Sequence, residues 1–367
     1  MTVPVLDLKA QYASIQSEID SAMHAVVEST EFVLGPTVKR FEQRVAEYCE
    51  CGHGIGVASG TDALLLSLLA AGVGEGDEVI TTPFTFVATA NTISRAGATP
   101  VFVDVEPDTL NLAVDQIEAA ITPRTKAIVP VHLFGQPADL GPIMDIAQRH
   151  NLVVVEDSAQ AVGATYEGKR VSSFGIAGCL SFYPTKNLGA YGDGGMVVTS
   201  NPDVAEKVDI LRRHGGKVKY HADVVGFNSR LDALQAALLD AKLNHLDTWN
   251  ARRREVAGTY HRLLAGLPLE TPVERPNVTH VYHQYTIQTD RRDELAAHLK
   301  SRGIGTMIYY PVPLHKQNLY AGQVSGSFPV AERAAQRVLS LPMFPELTEA
   351  QQEEVAGAIR DFFDTLA

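Results

Sequence analysis

Lys186 ends the stretch Ser181-Phe182-Tyr183-Pro184-Thr185-Lys186, which continues into Asn187-Leu188-Gly189 and Gly192-Asp193-Gly194-Gly195. The nearest charged residues along the chain are Arg170 before it and Asp193 after it. A lysine on a plain surface helix usually has charged neighbours, so this one fits a shaped site that faces inward. Burial there disfavours the ammonium and makes the proton easier to lose. A neutral amine can condense with an aldehyde to form a Schiff base. A solvated loop lysine fits this stretch alone equally well, because most lysines are exposed.

A second group lies upstream. Leu152-Val153-Val154-Val155-Glu156 is an apolar run ending in an acid, the pattern of a buried parallel strand. It delivers Asp157-Ser158-Ala159-Gln160 at its carboxyl end, where open α/β sheets place ligands. An aspartate there can pair with the protonated pyridine nitrogen of pyridoxal phosphate, the partner that lets this cofactor act as an electron sink. A third group is Ala58-Ser59-Gly60-Thr61-Asp62-Ala63-Leu64, between the short run Gly54 to Val57 and the apolar run Leu64 to Leu69. Small and polar residues at a helix start leave N–H groups free for a phosphate, though an ordinary N-cap reads the same way. Cradle, acid and lysine in this order are more specific together than any one of them.

With these residues in place, the chain resembles the DegT/DnrJ/EryC1/StrS family of sugar aminotransferases. The likeness runs nearly end to end, through Pro4-Val5-Leu6-Asp7-Leu8, Leu34-Gly35-Pro36, Ser59 to Leu64, Glu156 to Gln160, Ser181 to Lys186, Asn228-Ser229-Arg230-Leu231-Asp232 and Tyr310-Pro311. The resemblance implies an α/β protein with the type I fold of pyridoxal-phosphate transferases. That means a large domain, residues 1–248, with a mostly parallel seven-stranded sheet between helices, and a smaller α/β domain, residues 249–367. Lys186 and Asp157 are the expected catalytic residues: Lys186 holds the cofactor and then moves a proton, and Asp157 stays ionised beside the ring nitrogen. Gly60, Thr61 and Ser181 are expected at the phosphate, Gln160 at the phenolic oxygen, and Phe86 over the ring, with Phe84 as the alternative. Asn228 is expected to reach the phosphate of a neighbouring subunit in a homodimer with shared sites. Arg230, Tyr309, Tyr310 and His315 are the expected substrate contacts, although Arg230 could instead pair with Asp232. Related dehydratases carry histidine in place of Lys186, which disfavours dehydration.

The family resemblance also bears on the substrate, a nucleotide-linked keto sugar, with the pyridoxamine form of the cofactor as intermediate. Members acting at sugar C4 often read Gly-Glu-Gly-Gly after the lysine; here Gly192-Asp193-Gly194-Gly195 resembles members that aminate C3. L-glutamate is the expected donor. The nucleotide and the substituent at C6 stay open.

The elements that must position these residues alternate. Residues 8–30 and 37–48 read as helices, with Ile15, Ile19 and Met23 on one face of the first. Strands are expected at 78–80, 100–105, 126–133 and 152–156, with helices at 86–95, 114–120 and 139–150 between them. Such an order gives a mainly parallel sheet covered on both faces. Strands 179–183 and 196–199 flank the lysine. Residues 230–265 read as long helix, broken near Asp247-Thr248-Trp249-Asn250. The tail reads as strand 281–289, helix 291–301, strand 305–310 and helices from about Phe328 and Thr348. His132 reads as a packed strand-end histidine.

Composition sets outer bounds. The 367 residues suffice for two domains, and 45% hydrophobic residues is ordinary for a globular protein. A formal net charge of −12 with no basic block argues against nucleic acid or an anionic membrane surface as partner. No signal peptide and no apolar span of about 18 residues is visible. Three cysteines, Cys49, Cys51 and Cys179, without metal spacing, fit a reducing cytoplasm and no metal site. The chain lacks a Gly-x-Ser-x-Gly elbow and a Walker loop.

Overall fold

The computed structural model describes residues 3–218, 220–324 and 326–365. Seven strands build its main sheet: β1 (His53–Val57), β2 (Glu78–Thr81), β3 (Thr99–Phe102), β4 (Thr125–Ile128), β5 (Val153–Asp157), β6 (Ala177–Ser181) and β7 (Gly195–Thr199). Their order is β1-β7-β6-β5-β4-β2-β3, and the helices include α1 (Leu8–Ser29), α2 (Gly35–Tyr48), α6 (Pro202–Arg212) and α10 (Pro329–Arg337). Only β7 runs against the others, so the sheet is mostly parallel, as expected.

Strand β5 shows why the site falls where it does. Its side chains alternate between the two faces of the sheet. Val154 packs with Ile143 and Ile146 of helix α5 (Leu140–Arg149); Val155 packs with Leu64 and Leu68 of helix α3 (Gly60–Ala70). The alternation sends Glu156 and Asp157 to opposite faces. Glu156 is fully buried and accepts hydrogen bonds from the N–H groups of Ser172, Phe174 and Gly175, at 2.7–2.8 Å. It also meets His132 Nε2 at 3.1 Å. His132 Nδ1 accepts from Ala138 N–H at 3.0 Å, so His132 is a packed strand-end residue, as read from the sequence. Asp157 is left on the α3 face, and that face carries the cavity.

Several sequence-based boundaries move. The helical stretch 230–265 is two helices, α7 (Ala233–Leu243) and α8 (Leu246–Leu264), broken at Asn244-His245 and not at 247–250. Trp249 and Asn250 are buried inside α8, and Trp249 stacks on His245 across the break. The strand expected at 281–289 shrinks to β8 (Tyr285–Gln288) because its first residues bond elsewhere. Val281 N–H donates to Gly135 O and Gln284 N–H to Phe134 O, both in the turn after β4. No strand forms at 305–310, where Met307 makes a single bridge to Ser340. Ser340 belongs to β9 (Val338–Leu341), which pairs antiparallel with β8 and was overlooked in the sequence. Residues 114–120 form two short 3-10 turns instead of a helix.

The smaller unit packs β8 and β9 with α8, α9 (Arg292–Ser301) and α11 (Glu349–Asp364) around Tyr260, Tyr285, Leu295, Leu341 and Ile359. Val3 joins that core from the start of the chain. Among the described residues no helix is long and apolar enough to cross a membrane.

Candidate active site

A cavity of about 620 Å³ opens on the carboxyl side of β5 and β6. Lys186, Asp157, Gly60, Thr61, Ser181 and Gln160 all line it. So do Phe86, Tyr309 and Tyr310. Residues spread over 250 positions of sequence thus meet at one place.

Asp157 forms the acidic end. Its Oδ2 accepts from Thr89 Oγ1 at 2.8 Å, and its Oδ1 accepts from Ala159 N–H at 3.2 Å. Burial pushes its carboxyl above the usual aspartate range; the two hydrogen bonds and the charges of Lys186 and His132 oppose this. A cation lodged against it would restore the ionised form. Thr89 comes from helix α4 (Ala88–Arg95), and its hydroxyl also meets Thr85 Oγ1 at 3.0 Å.

Lys186 follows β6 in a turn closed by its own N–H on Tyr183 O at 2.9 Å. Burial lowers its ammonium to about 8, and only the attraction of Asp157 works the other way. A substantial neutral fraction therefore exists near physiological pH, as a Schiff-base lysine requires.

The start of α3 forms a cradle. Ser59 caps the helix by accepting from Asp62 N–H at 3.1 Å, and Ala63 N–H is held by Ser59 O. The N–H groups of Gly60 and Thr61 have no acceptor among the described residues, which leaves them for an anion. Gly60 is needed here: a Cβ on it would lie 2.6 Å from Ser181 Cβ. The Ser181 hydroxyl stands beside the cradle for that reason. An anion cradle, a buried carboxylate and an amine that loses its proton more easily than usual, all in one cavity, fit the phosphate, ring nitrogen and aldehyde of pyridoxal phosphate. Of the two candidate rings, Phe86 lines the cavity and is 56% exposed, whereas Phe84 is buried in the core, edge-on to Tyr310. Gln160 is fixed at both ends: Oε1 accepts from Phe134 N–H at 2.7 Å, and Nε2 donates to the Tyr310 hydroxyl at 3.0 Å.

Three expected residues do not reach the cavity. His315 pairs with Glu332 at 3.0 Å and packs on Phe328, so its ring is taken up within its own loop region. Asn228 is exposed and bridges to Arg213 through the backbone. Arg230 lies outside the lining and, among the described residues, forms no ion pair, with Asp232 or any other carboxylate. Their neighbour Ser229 does touch the cradle from behind, donating to Asp62 Oδ2 at 2.8 Å. The lining also includes residues that sequence reading missed: Thr85, Thr89, Tyr183, His283 and Gln284. The Thr85–Thr89 spacing of four, at the start of α4 between β2 and β3, was the one visible signal.

The comparisons with known proteins agree along the whole chain. A profile of the DegT/DnrJ/EryC1/StrS aminotransferase family matches residues 13–360. The chain is 54% identical over 368 residues to a "pleiotropic regulatory protein" of Geobacillus stearothermophilus, covering 99% of both. It is 50% identical to the UDP-N-acetyl-3-dehydro-alpha-D-glucosamine 3-aminotransferase of Acidithiobacillus ferrooxidans, covering 98% of this chain and 97% of that one. Among solved structures, S. venezuelae DesV in complex with a ketimine intermediate superposes with a TM-score of 0.97 at 47% identity, covering 99% of this chain and 98% of that one. The chain belongs to the DegT/DnrJ/EryC1/StrS aminotransferase family.

Proposed function

We propose that this protein is a pyridoxal-phosphate aminotransferase that aminates C3 of a nucleotide-linked 3-keto hexose, with L-glutamate as donor. The observation that carries the catalytic part is Lys186, whose amine is brought to about 8 in the same cavity as buried Asp157 and the open N–H groups of Gly60 and Thr61. Relatives named as 3-aminotransferases support the C3 position, the A. ferrooxidans protein among them. So does the Asp193-Gly194-Gly195 segment after the lysine, of which Asp193 and Gly194 line the cavity.

Gly60, Thr61 and Ser181 would hold the phosphate, Asp157 the ring nitrogen, and Phe86 the ring face. When bound, pyridoxal phosphate supplies an electron sink for the carbanion formed beside the transferred nitrogen. Lys186 Nζ would take the proton from Cα of the amino donor and, in the second half-reaction, give one to the sugar carbon that receives the nitrogen. Asp157 would keep its negative charge, because the ring cation would offset the cost of its burial. Gln160 holds the Tyr310 hydroxyl at the cavity wall, and Tyr309 and Tyr310 narrow the entry for the sugar. Asn228 and Arg230 serve the site of a second copy in a homodimer. Their segment exposes apolar side chains, Val218 at 65% and Val225 at 90%, which a partner would cover. We take 1–248 and 249–367 as the two domains, with α8 crossing the division, and the cytoplasm as the location, in keeping with three free cysteines.

The name of the Geobacillus relative suggests a regulator. A regulator has no need of a lysine with a lowered pKa beside an acid, and the visible absorption of the lysine-bound cofactor separates the two roles. The substrate test runs the reaction backward, with 2-oxoglutarate and either 3-amino or 4-amino nucleotide sugars. Turnover of 3-amino sugars is expected; turnover of 4-amino sugars alone would refute the C3 position and leave the aminotransferase intact.

A further inference from the structure

Asn187, directly after Lys186, is buried, and its side chain is fully engaged. Its Nδ2 donates to Asn250 Oδ1 at 2.8 Å and to Val281 O at 3.1 Å. Asn250 is oriented in turn, because its Nδ2 donates to Val162 O at 3.0 Å. A backbone carbonyl only accepts, so the amide nitrogen of each asparagine must face its carbonyl. The direction of the whole chain of bonds is thereby set. Asn187 Oδ1 is left pointing at His283 Nδ1, 3.2 Å away. An amide oxygen cannot donate, so Nδ1 of His283 carries the proton.

His283 lines the same cavity as Lys186, and its Nε2 has no partner among the described residues. The charged groups that face the ring are both cationic: Lys186 and Arg253, whose Nη1 donates to His283 O at 3.4 Å. Burial and these two charges hold the imidazole well below its ordinary range, hence neutral. A neutral ring with a proton on Nδ1 has a lone pair on Nε2.

We propose that Asn187 locks His283 in the Nδ1–H tautomer, so that Nε2 offers the cavity a hydrogen-bond acceptor for an O–H or N–H group of the bound substrate. Asn187 is a positioning residue, and His283 is the group that touches substrate. The substrate contact rests on the catalytic reading of the cavity; the tautomer does not, nor does either depend on which keto sugar is used.

Neutron diffraction from deuterated wild-type crystals reads the tautomer without any turnover. Deuterium on Nδ1 and none on Nε2 is expected; deuterium on Nε2 overturns the proposal. Kinetics with whichever amino nucleotide sugar, 3-amino or 4-amino, the wild type turns over read the contact. His283→Gln keeps an acceptor oxygen and should retain kcat/KM within a few-fold, whereas His283→Phe should lose about tenfold, the worth of one hydrogen bond. Equal losses in both variants would overturn the contact. Asn187→Asp puts a carboxylate opposite Nδ1 and favours the imidazolium, so an acid limb absent from the wild-type pH profile should appear. That limb should vanish in Asn187→Asp/His283→Gln; its persistence would assign it to another group and count against His283. A protein with the expected deuterium position but no amino-sugar turnover would sink the proposed function and leave the tautomer standing.

Discussion

The Thr89 hydroxyl donates to Asp157 Oδ2 at 2.8 Å, tying the acid at the end of β5 to the first turn of α4. This bond, the Ala159 N–H and the electrostatic effect of Lys186 and His132 favour the carboxylate against burial. Asp157→Asn keeps the shape and removes the charge. Cofactor should still bind, while the half-reaction with L-glutamate slows at least about a hundredfold, or ~3 kcal/mol of transition-state stabilisation. Thr89→Val should cost far less, about 1 kcal/mol for one hydrogen bond. Near-normal single-turnover rates in Asp157→Asn would show that the acid is structural.

The lowered ammonium of Lys186 has a signed consequence for stability. Its folded value is about 8 against an ordinary 10.5. Between these values the unfolded chain binds more protons than the folded one, so stability rises with pH across that window. Below about 8 both states are protonated and the full cost of burying the charge remains. The cofactor-free Lys186→Met protein should therefore be more stable than cofactor-free wild type at pH 7, and the gap should close as pH rises from about 8 to 10.5. Denaturant midpoints at pH 7 and 10 check this; a gap that does not narrow would mean the ammonium is well solvated. The holo Lys186→Ala protein should also lack the visible band of the lysine-bound cofactor.

The central sheet and the core of the site were legible because their signals are local. The run Val153 to Val155 has the β-branched composition of a buried strand, Asp157 ends that strand, and Lys186 follows β6 within a few residues. The cradle was legible from Ser59-Gly60-Thr61-Asp62 for the same reason. What could not be read were contacts whose partners are far apart in sequence. Thr89 matters only because Asp157 lies against it, 68 residues away. His283 enters the cavity because residues 281–284 leave the expected strand to bond to Phe134 and Gly135. His315 has a motif-like setting in Tyr309 to His315, yet Glu332 claims its ring from a helix 17 residues on. The break placed at Asp247-Thr248-Trp249-Asn250 falls earlier in the fold because the tertiary partners of this polar stretch were not legible: Trp249 and Asn250 are buried and Asn250 bonds Asn187.

Gly60 is the narrowest point of the cradle. A Cβ there would sit 2.6 Å from Ser181 Cβ and 3.1 Å from Ser181 Cα. Gly60→Ala should push the start of α3 away from β6 and weaken cofactor binding more than it weakens the fold. Ser181→Gly in the same chain removes the nearer clash and should recover part of the affinity, at the cost of the hydroxyl. Cofactor titrations of the two single variants and the double variant give the coupling. Losses that simply add would mean the two residues do not share the crowding.

Asn228 and Arg230 lie outside their own cavity, yet Ser229 between them contacts Asp62, beside the cradle. Ser229 anchors the segment beside the cradle, and the exposed Val218 and Val225 nearby call for cover. If a second copy supplies that cover, Asn228 of one chain completes the phosphate site of the other. A two-fold dimer is the arrangement that makes both sites equivalent. Lys186→Ala removes the amine from its own site, and Asn228→Ala removes the amide from the neighbour's. Mixing the two inactive proteins and allowing exchange should then give mixed dimers in which one site carries both alterations and the other carries neither. Activity should rise from near zero toward about a quarter of wild type, since random mixing makes half the dimers mixed and each has one intact site. Exchange followed by size-exclusion chromatography gives the dimer fraction, and rates on that fraction give the recovery. No recovery from demonstrably mixed dimers would place both residues in one chain's site, and an active monomer in dilute solution would remove the shared site altogether.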